Sequence, residues 1–226
     1  MLTVIVPTLN EEKVIGRCLR NLKEQRGIAE ILVVDGESGD ATRKIAEQHG
    51  VRVVKSERGI ARQLQTGAAA AKGDVLLFLH ADCRFAPGAI SQFEAILKEG
   101  SIHWGAFKQR YDRYGAATGA LAAINNTAAQ LRRQYRGEQG IFVTKKALGK
   151  IGGVPDAVVF EDRKLCRALK QTGLKSALLP IAIISSARRF RHGNDFRTVW
   201  RLVWGRVRRG VGVSGYKLKK EYPAVR

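Results

Sequence analysis

A chain of 226 residues that is 45% hydrophobic carries enough apolar side chain to bury the core of one substantial domain plus an appendage, which excludes global disorder. Lys and Arg number 40 against 20 Asp and Glu, and the formal charge of +20 points to anionic partners: nucleotide phosphates, phospholipid headgroups or nucleic acid. The three cysteines, Cys18, Cys83 and Cys166, are far apart and lack CxxC spacing, so neither a disulfide framework nor a zinc site is indicated and a reducing, cytoplasmic setting fits.

The chain opens directly into LTVIV (2–6), a strand pattern without the features of a signal peptide. Further apolar runs follow at EILVV (30–34), VRVV (51–54) and DVLLFL (74–79), separated by helical patterns at about 11–25, 40–49 and 60–71. That alternation predicts an α/β fold with a mostly parallel central sheet and crossover helices. Runs that are apolar almost throughout suit strands covered on both faces.

Past Pro87 the pattern predicts a helix to about Lys98, a strand near Trp104 to Arg110 and an Ala-rich helix at 116–133. GEQGIFVTKKAL (137–148) reads as a strand running into a helix, FEDRKLCRALKQTG (160–173) as a helix stopped by Gly173, and LLPIAIIS (178–185) as a strand. We place the α/β domain at 1–190 and a basic amphipathic segment at 191–226. Within that segment Phe196, Val199, Trp200, Val203 and Val207 can share one helical face, with Arg201, Arg208 and Arg209 elsewhere. Such a helix is expected either at an anionic membrane surface, peripheral on the inner face of the plasma membrane, or packed on the domain. No run approaches the roughly 20 apolar residues that span a bilayer.

Ligands of open parallel sheets sit beyond the carboxyl ends of the strands, so the polar residues after each strand are the candidates. Asp35 is placed to accept hydrogen bonds from a base or ribose, while Ser38 and Asp40 suit the cap of the next helix. His80-Ala81-Asp82 follows the strongest strand, and Asp82 is a hard oxygen ligand of the kind that binds Mg or Mn beside substrate phosphates, although it would also suit the cap of a turn. Glu161 and Asp162 open a helix, where carboxylates are favoured electrostatically; either also has the chemistry of a general base. The G-x-G-x-x-G turn of dinucleotide folds is replaced after the first strand by Pro7-Thr8-Leu9-Asn10-Glu11, which argues against a dehydrogenase.

PTLNEE (7–12), VVDGESGD (33–40), ARQLQTGAAAAKGDVLLFLHAD (61–82), GEQGIF (137–142) and FEDRKL (160–165) together resemble the family 2 glycosyltransferases. LLFLHAD, GEQGIF and SARRF are similar to a small bacterial subgroup of arsenosugar-biosynthesis-type or carotenoid-glycosylating enzymes. The resemblance implies a GT-A fold, a UDP-sugar or similar nucleotide-sugar donor, Mn or Mg, and inversion by direct displacement. It implies that Pro7, Thr8, Asn10 and Glu11 border the nucleotide, that Asp35 with Gly36 meets the uracil or ribose, and that Ala61 and Arg62 lie across the base. Asp82 would hold the metal, Asp162 would be the catalytic base with Glu161 orienting it or the acceptor, and Glu138 and Gln139 would line the acceptor side. Arg188 and Arg189 are candidates to neutralise the departing diphosphate, or else are solvated surface charges. His80 stands where the family's D-x-D has its first acid, and Glu138 where close relatives often carry Asp.

The acceptor is expected to be a hydroxyl compound, lipid-like if the basic segment meets a membrane. The alternative is a nucleic-acid- or membrane-binding module on a degenerate Rossmann-like fold. Nucleic acid is not the expected partner, because carboxylates clustered at the strand ends would repel its backbone. A nucleotidyltransferase would need a Gly-rich basic loop where TLNEE is acidic.

Overall fold

The computed structural model describes residues 1–113, 115–157 and 161–188. Arg189 and the basic segment 191–226, with its proposed face of Phe196, Val199, Trp200, Val203 and Val207, lie outside the described residues.

In chain order the elements are β1 (Leu2–Thr8), α1 (Ile15–Glu24), β2 (Ile28–Asp35), α2 (Thr42–Gln48), β3 (Arg52–Lys55), α3 (Ile60–Ala70), β4 (Val75–Phe78), β5 (Cys83–Phe85), α4 (Ala89–Lys98), β6 (Trp104–Tyr111), α5 (Ala116–Arg132), β7 (Ile141–Thr144), α6 (Lys145–Lys150), α7 (Glu161–Gln171) and β8 (Ser176–Ser185). A single 3-10 turn, Gly137–Gln139, precedes β7. The strands form one sheet in the order β3-β2-β1-β4-β7-β6-β8-β5. Its first half is parallel, as β-helix-β alternation requires, and β6 also runs parallel to β8. Antiparallel joints occur at β4–β7, β7–β6 and β8–β5.

Both faces of the sheet are covered, which is why the strand sequences are apolar without alternation. Val4 and Val6 of β1 face a layer that includes Ile15, Leu19 and Leu22 of α1 and Phe93 of α4. Ile5 between them points the other way, into a layer with Leu64 of α3 and Leu165 and Leu169 of α7. The α1 positions follow the i, i+3, i+4, i+7 spacing of one helical face, and a fully buried Leu contributes roughly 1.5–3 kcal/mol. Phe93 meets Phe107 and Phe142 edge-on at 5.1 and 4.8 Å, locking α4 to the middle of the sheet.

Gly105 of β6 lies opposite Phe142 of β7 and Ala177 of β8. A methyl group there would come within 2.0 Å of the Ala177 carbonyl oxygen and 2.8 Å of the Phe142 ring. The three strands can approach only because that side chain is missing. Among the described residues no helix is long and apolar enough to cross a membrane.

Candidate active site

The loops after β1 and β2 are bound to each other rather than separately ordered. Asn10 N–H donates to Ser38 Oγ at 2.9 Å, and Gly39 N–H returns a bond to Asn10 Oδ1 at 2.9 Å. Glu11 N–H donates to Thr42 Oγ1 at 2.8 Å, Glu12 N–H to Asp40 Oδ2 at 3.1 Å, and Ala41 N–H to Glu12 Oε2 at 3.1 Å. Asn10 has a left-handed φ of 55°, which asparagine tolerates well. Asp40 anchors the start of α2 by accepting the Thr42 N–H at 2.9 Å, as the sequence suggests. Ser38 instead serves the neighbouring loop.

Asp35 is 1% exposed. Its Oδ2 accepts the Ser38 N–H at 3.0 Å, Thr8 Oγ1 lies 3.5 Å from its Oδ1, and Arg43 Nε is 3.7 Å away. The carboxylate shapes the floor of these two loops instead of offering an open oxygen, and Thr8 is equally buried. Beneath them Gln63 of α3 donates its one amide nitrogen to Thr8 O at 2.7 Å and Val34 O at 2.8 Å. Gly36 sits on this amide, with room for no side chain. Ala61 is buried, whereas Arg62 is exposed and paired with Glu57. Gln63→Leu is therefore expected to remove two buried hydrogen bonds, leaving Thr8 O with the Gly36 N–H at 2.9 Å and Val34 O with Thr8 Oγ1 at 3.5 Å, at a cost of about 1–3 kcal/mol. In thermal unfolding the midpoint should fall by about 2–4 °C per kcal/mol; an unchanged Tm would show that the amide is dispensable.

Beyond β4, Asp82 is held by its backbone, whose carbonyl accepts the Ser186 N–H at 3.2 Å. Its side chain is 14% exposed, with Arg188 Nε at 3.3 Å. The same guanidinium donates to Glu11 Oε2 at 2.9 Å and Oε1 at 3.2 Å. Two carboxylates from different strand ends thus converge on one cation. Among the described residues no group of three or more His, Cys, Asp or Glu could form a complete metal cage. The donor set fits a hard divalent ion that takes one or two protein carboxylates and completes its shell with water and phosphate oxygens.

The first turn of α7 brings Glu161 and Asp162 into a crevice with Pro7, Ile60, His80 and Gly137. Asp162 Oδ1 accepts the Arg163 N–H at 2.6 Å. Burial raises the pKa of Asp162, opposed by Arg136, the Arg163 and Gly137 N–H groups and His80. Burial and then the charge of Asp162 raise Glu161. His80 lies against Gly137, where a Cβ would come within 2.3 Å of its Nε2. In place of a D-x-D acid, the chain thus has a ring that packs on the GEQG turn and faces the α7 carboxylates.

Glu138 Oε2 accepts from Gln109 Nε2 at 3.1 Å, and its carbonyl accepts from Ser185 Oγ at 2.9 Å. Gln139 departs from the acceptor-lining expectation: it is wholly buried, accepting the Arg136 N–H at 3.1 Å and donating to Asn126 Oδ1 at 3.2 Å. It holds the turn that presents Glu138. Gln109, Asn125 and Asn126 complete this amide network, and the only trace of it in sequence is the pair of asparagines inside an Ala-rich helix.

Residues 3–148 match the family described as Glycosyl transferase family 2. The chain belongs to this family. It is 32% identical over 89 residues to 4,4'-diaponeurosporenoate glycosyltransferase of Staphylococcus haemolyticus, an overlap of 36% of this chain and 24% of the relative. The chain spans less than half the length of the curated relatives it matches, from 24% to 42%. Its GT-A fold is similar to that of a Pyrobaculum calidifontis mannosyltransferase in complex with GDP-Man and Mn2+, with a TM-score of 0.70, 21% identity and coverage of 84% of this chain and 58% of the other. S. aureus TarS 1-349 in complex with UDP-GlcNAc superposes with a TM-score of 0.67 at 20% identity, covering 89% and 65%. The family match ends before α7, so Glu161, Asp162 and Arg188 belong to the part of this family 2 chain that lies beyond it.

Proposed function

We propose that this family 2 glycosyltransferase moves a sugar from a nucleoside-diphosphate donor, a UDP-sugar being the first candidate, to a hydroxyl acceptor with inversion. The observation that carries the reading is the convergence, at the strand ends, of the Asp82–Glu11 carboxylate pair and of Asp162 in the crevice beside Pro7 and His80. Solved proteins of the same fold hold GDP-Man with Mn2+ and UDP-GlcNAc, which supports a nucleotide-sugar donor and a divalent ion.

In this reading the zipped loops of β1 and β2 form a rigid seat for the nucleoside, with Pro7, Asn10 and Glu11 at its edge and Asp35 and Gly36 in its floor. Asp82 is the residue that would hold Mn or Mg, whose chemistry is to offset charge on the leaving diphosphate. Arg188, and Arg189 beside it, would supply further positive charge to that group. Asp162 accepts the acceptor hydroxyl's proton as that oxygen bonds to the anomeric carbon from the face opposite the diphosphate, whose C–O bond breaks with the electron pair leaving on oxygen. Glu161 sets the orientation of Asp162, and Glu138 faces the acceptor. The basic segment 191–226 favours a lipophilic acceptor reached from an anionic membrane surface.

The test is calorimetric titration of UDP, GDP and their sugar conjugates into the protein with Mn, then with EDTA. One nucleotide should bind in a metal-dependent way, and Asp82→Ala should weaken that binding by more than the about 10–100-fold that loss of an outer-shell metal partner costs. Binding indifferent to EDTA and to Asp82→Ala would refute the assignment of Asp82.

A further inference from the structure

The Arg188 side chain has fixed partners on two strand-end loops. Its guanidinium grips both Glu11 oxygens and reaches Asp82 at 3.3 Å. The backbone that carries it is held as well. Ser186 N–H donates to Asp82 O at 3.2 Å, Ala187 N–H donates to Asp112 Oδ1 at 2.8 Å, and Ala187 packs with Ala117 and Leu121 of α5. Arg84 in turn lies 3.7 Å from Asp112.

Glu11 and Asp82 are largely shielded, at 16% and 14% exposure. Two such carboxylates left without a cation would be costly, so the donor-free protein needs a positive charge between them. The guanidinium fork supplies it, bidentate on one side and through Nε on the other. A divalent ion that enters at Asp82 while Nε remains 3.3 Å from Oδ2 meets like charge at close range, so the guanidinium disfavours metal binding until it moves. Once moved from Asp82, the guanidinium needs an anion, and a donor diphosphate is one.

We infer that Arg188 is an internal counter-ion that closes the Asp82 site in the donor-free protein, so that divalent metal and nucleoside diphosphate bind as a coupled pair. The inference rests on the reading of Asp82 as the metal carboxylate. Coupling of this kind is reciprocal: metal strengthens nucleotide binding by the same factor as nucleotide strengthens metal binding.

The experiment is Mn2+ binding followed by electron paramagnetic resonance of the free ion, with and without UDP or GDP. The proteins are wild type, Arg188→Gln, Arg188→Lys, Asp82→Asn and the Arg188→Gln/Asp82→Asn double variant, with near-ultraviolet circular dichroism verifying the fold of each. Wild type should bind Mn2+ at least about tenfold more tightly with nucleotide than without, within the range usual for linked sites. Arg188→Gln should bind Mn2+ about tenfold more tightly than wild type in the absence of nucleotide, with the coupling largely lost. Arg188→Lys, which keeps the charge and lacks the fork, should fall between them.

Equal Mn2+ affinity of nucleotide-free wild type and Arg188→Gln overturns the inference. If that shared binding disappears in Asp82→Asn, the metal site itself stands. If Mn2+ binding persists in the double variant, or no variant binds Mn2+ with or without nucleotide, the reading of Asp82 fails and the inference goes with it.

Discussion

Asp162→Asn is expected to lower kcat by about 10²–10⁴-fold, the contribution typical of a positioned general base, with little change in donor affinity. The amide preserves the shape of the side chain, and its oxygen can still accept the Arg163 N–H that Asp162 Oδ1 accepts at 2.6 Å. What it loses is the capacity to take a proton. The pH profile supplies a second readout. Because burial raises the pKa of Asp162, the acid limb of kcat/KM should lie above the usual range for an aspartate, and activity should fall as pH drops through that raised value. Stability moves in the opposite sense. A carboxyl whose pKa is raised on folding favours the native state most below its unfolded pKa and loses that contribution as pH rises through the folded one. Asp162→Asn should therefore raise Tm near neutral pH, with the gain vanishing in acid. A variant with normal turnover would remove Asp162 from the mechanism and leave Glu161 as the nearest alternative.

The largest loss of stability is expected from Gly105→Ala. Replacing a strand glycine by alanine ordinarily favours folding by about 0.5–1 kcal/mol, because the unfolded chain loses freedom. Here the added methyl meets a backbone oxygen at 2.0 Å and an aromatic ring at 2.8 Å, and Ala177 and Phe142 belong to the two strands that flank β6. Neither neighbour is the free end of a flexible side chain, so the sheet itself must spread. Overpacking should win, with a net cost of about 3 kcal/mol and a Tm lower by about 6–12 °C. Gly149→Ala on α6 is the internal control: a methyl there meets nothing within 4 Å, and the helix should gain slightly. Equal melting of the two variants would mean that β6 can move away from its neighbours.

The parallel half of the fold was readable from sequence because β1, β2, β3 and β4 are short apolar runs separated by helical patterns, each one interpretable alone. β5 was not. Cys83-Arg84-Phe85 is too short to display a period, and it is a strand only because Ser185, Ile184 and Ile183 pair with it from a distant part of the chain. The insertion of β7 between β4 and β6 was hidden for the same reason, since pairing partners leave no mark on an apolar run.

The site divides similarly. Asp82, Glu161 and Asp162 stood out as carboxylates directly after apolar strands or at the start of a helix. Gln63 did not, because an amide in an amphipathic helix resembles any solvated glutamine until Thr8 O and Val34 O are seen above it. Asp35 looked like an open ligand group and proved to be an organiser of the loop around Ser38. Gln139 followed the family pattern in position but not in exposure, because Asn126 and the Arg136 N–H occupy its amide.

The place of β7 in the sheet also sets a timetable for biosynthesis. A ribosome delivers β1 to β4 well before Ile141–Thr144, so β4 meets the cell with Val75-Leu76-Leu77-Phe78 as an uncovered apolar edge. During that interval the nascent chain has the loops after β1 and β2 but neither α7 nor Arg188, and its sticky border can be taken by another chain as easily as by its own. The interval closes when β7 pairs with β4, after which the chain adds α7 and Arg188 to a platform already built. Slow translation between residues 79 and 141 would lengthen that exposure.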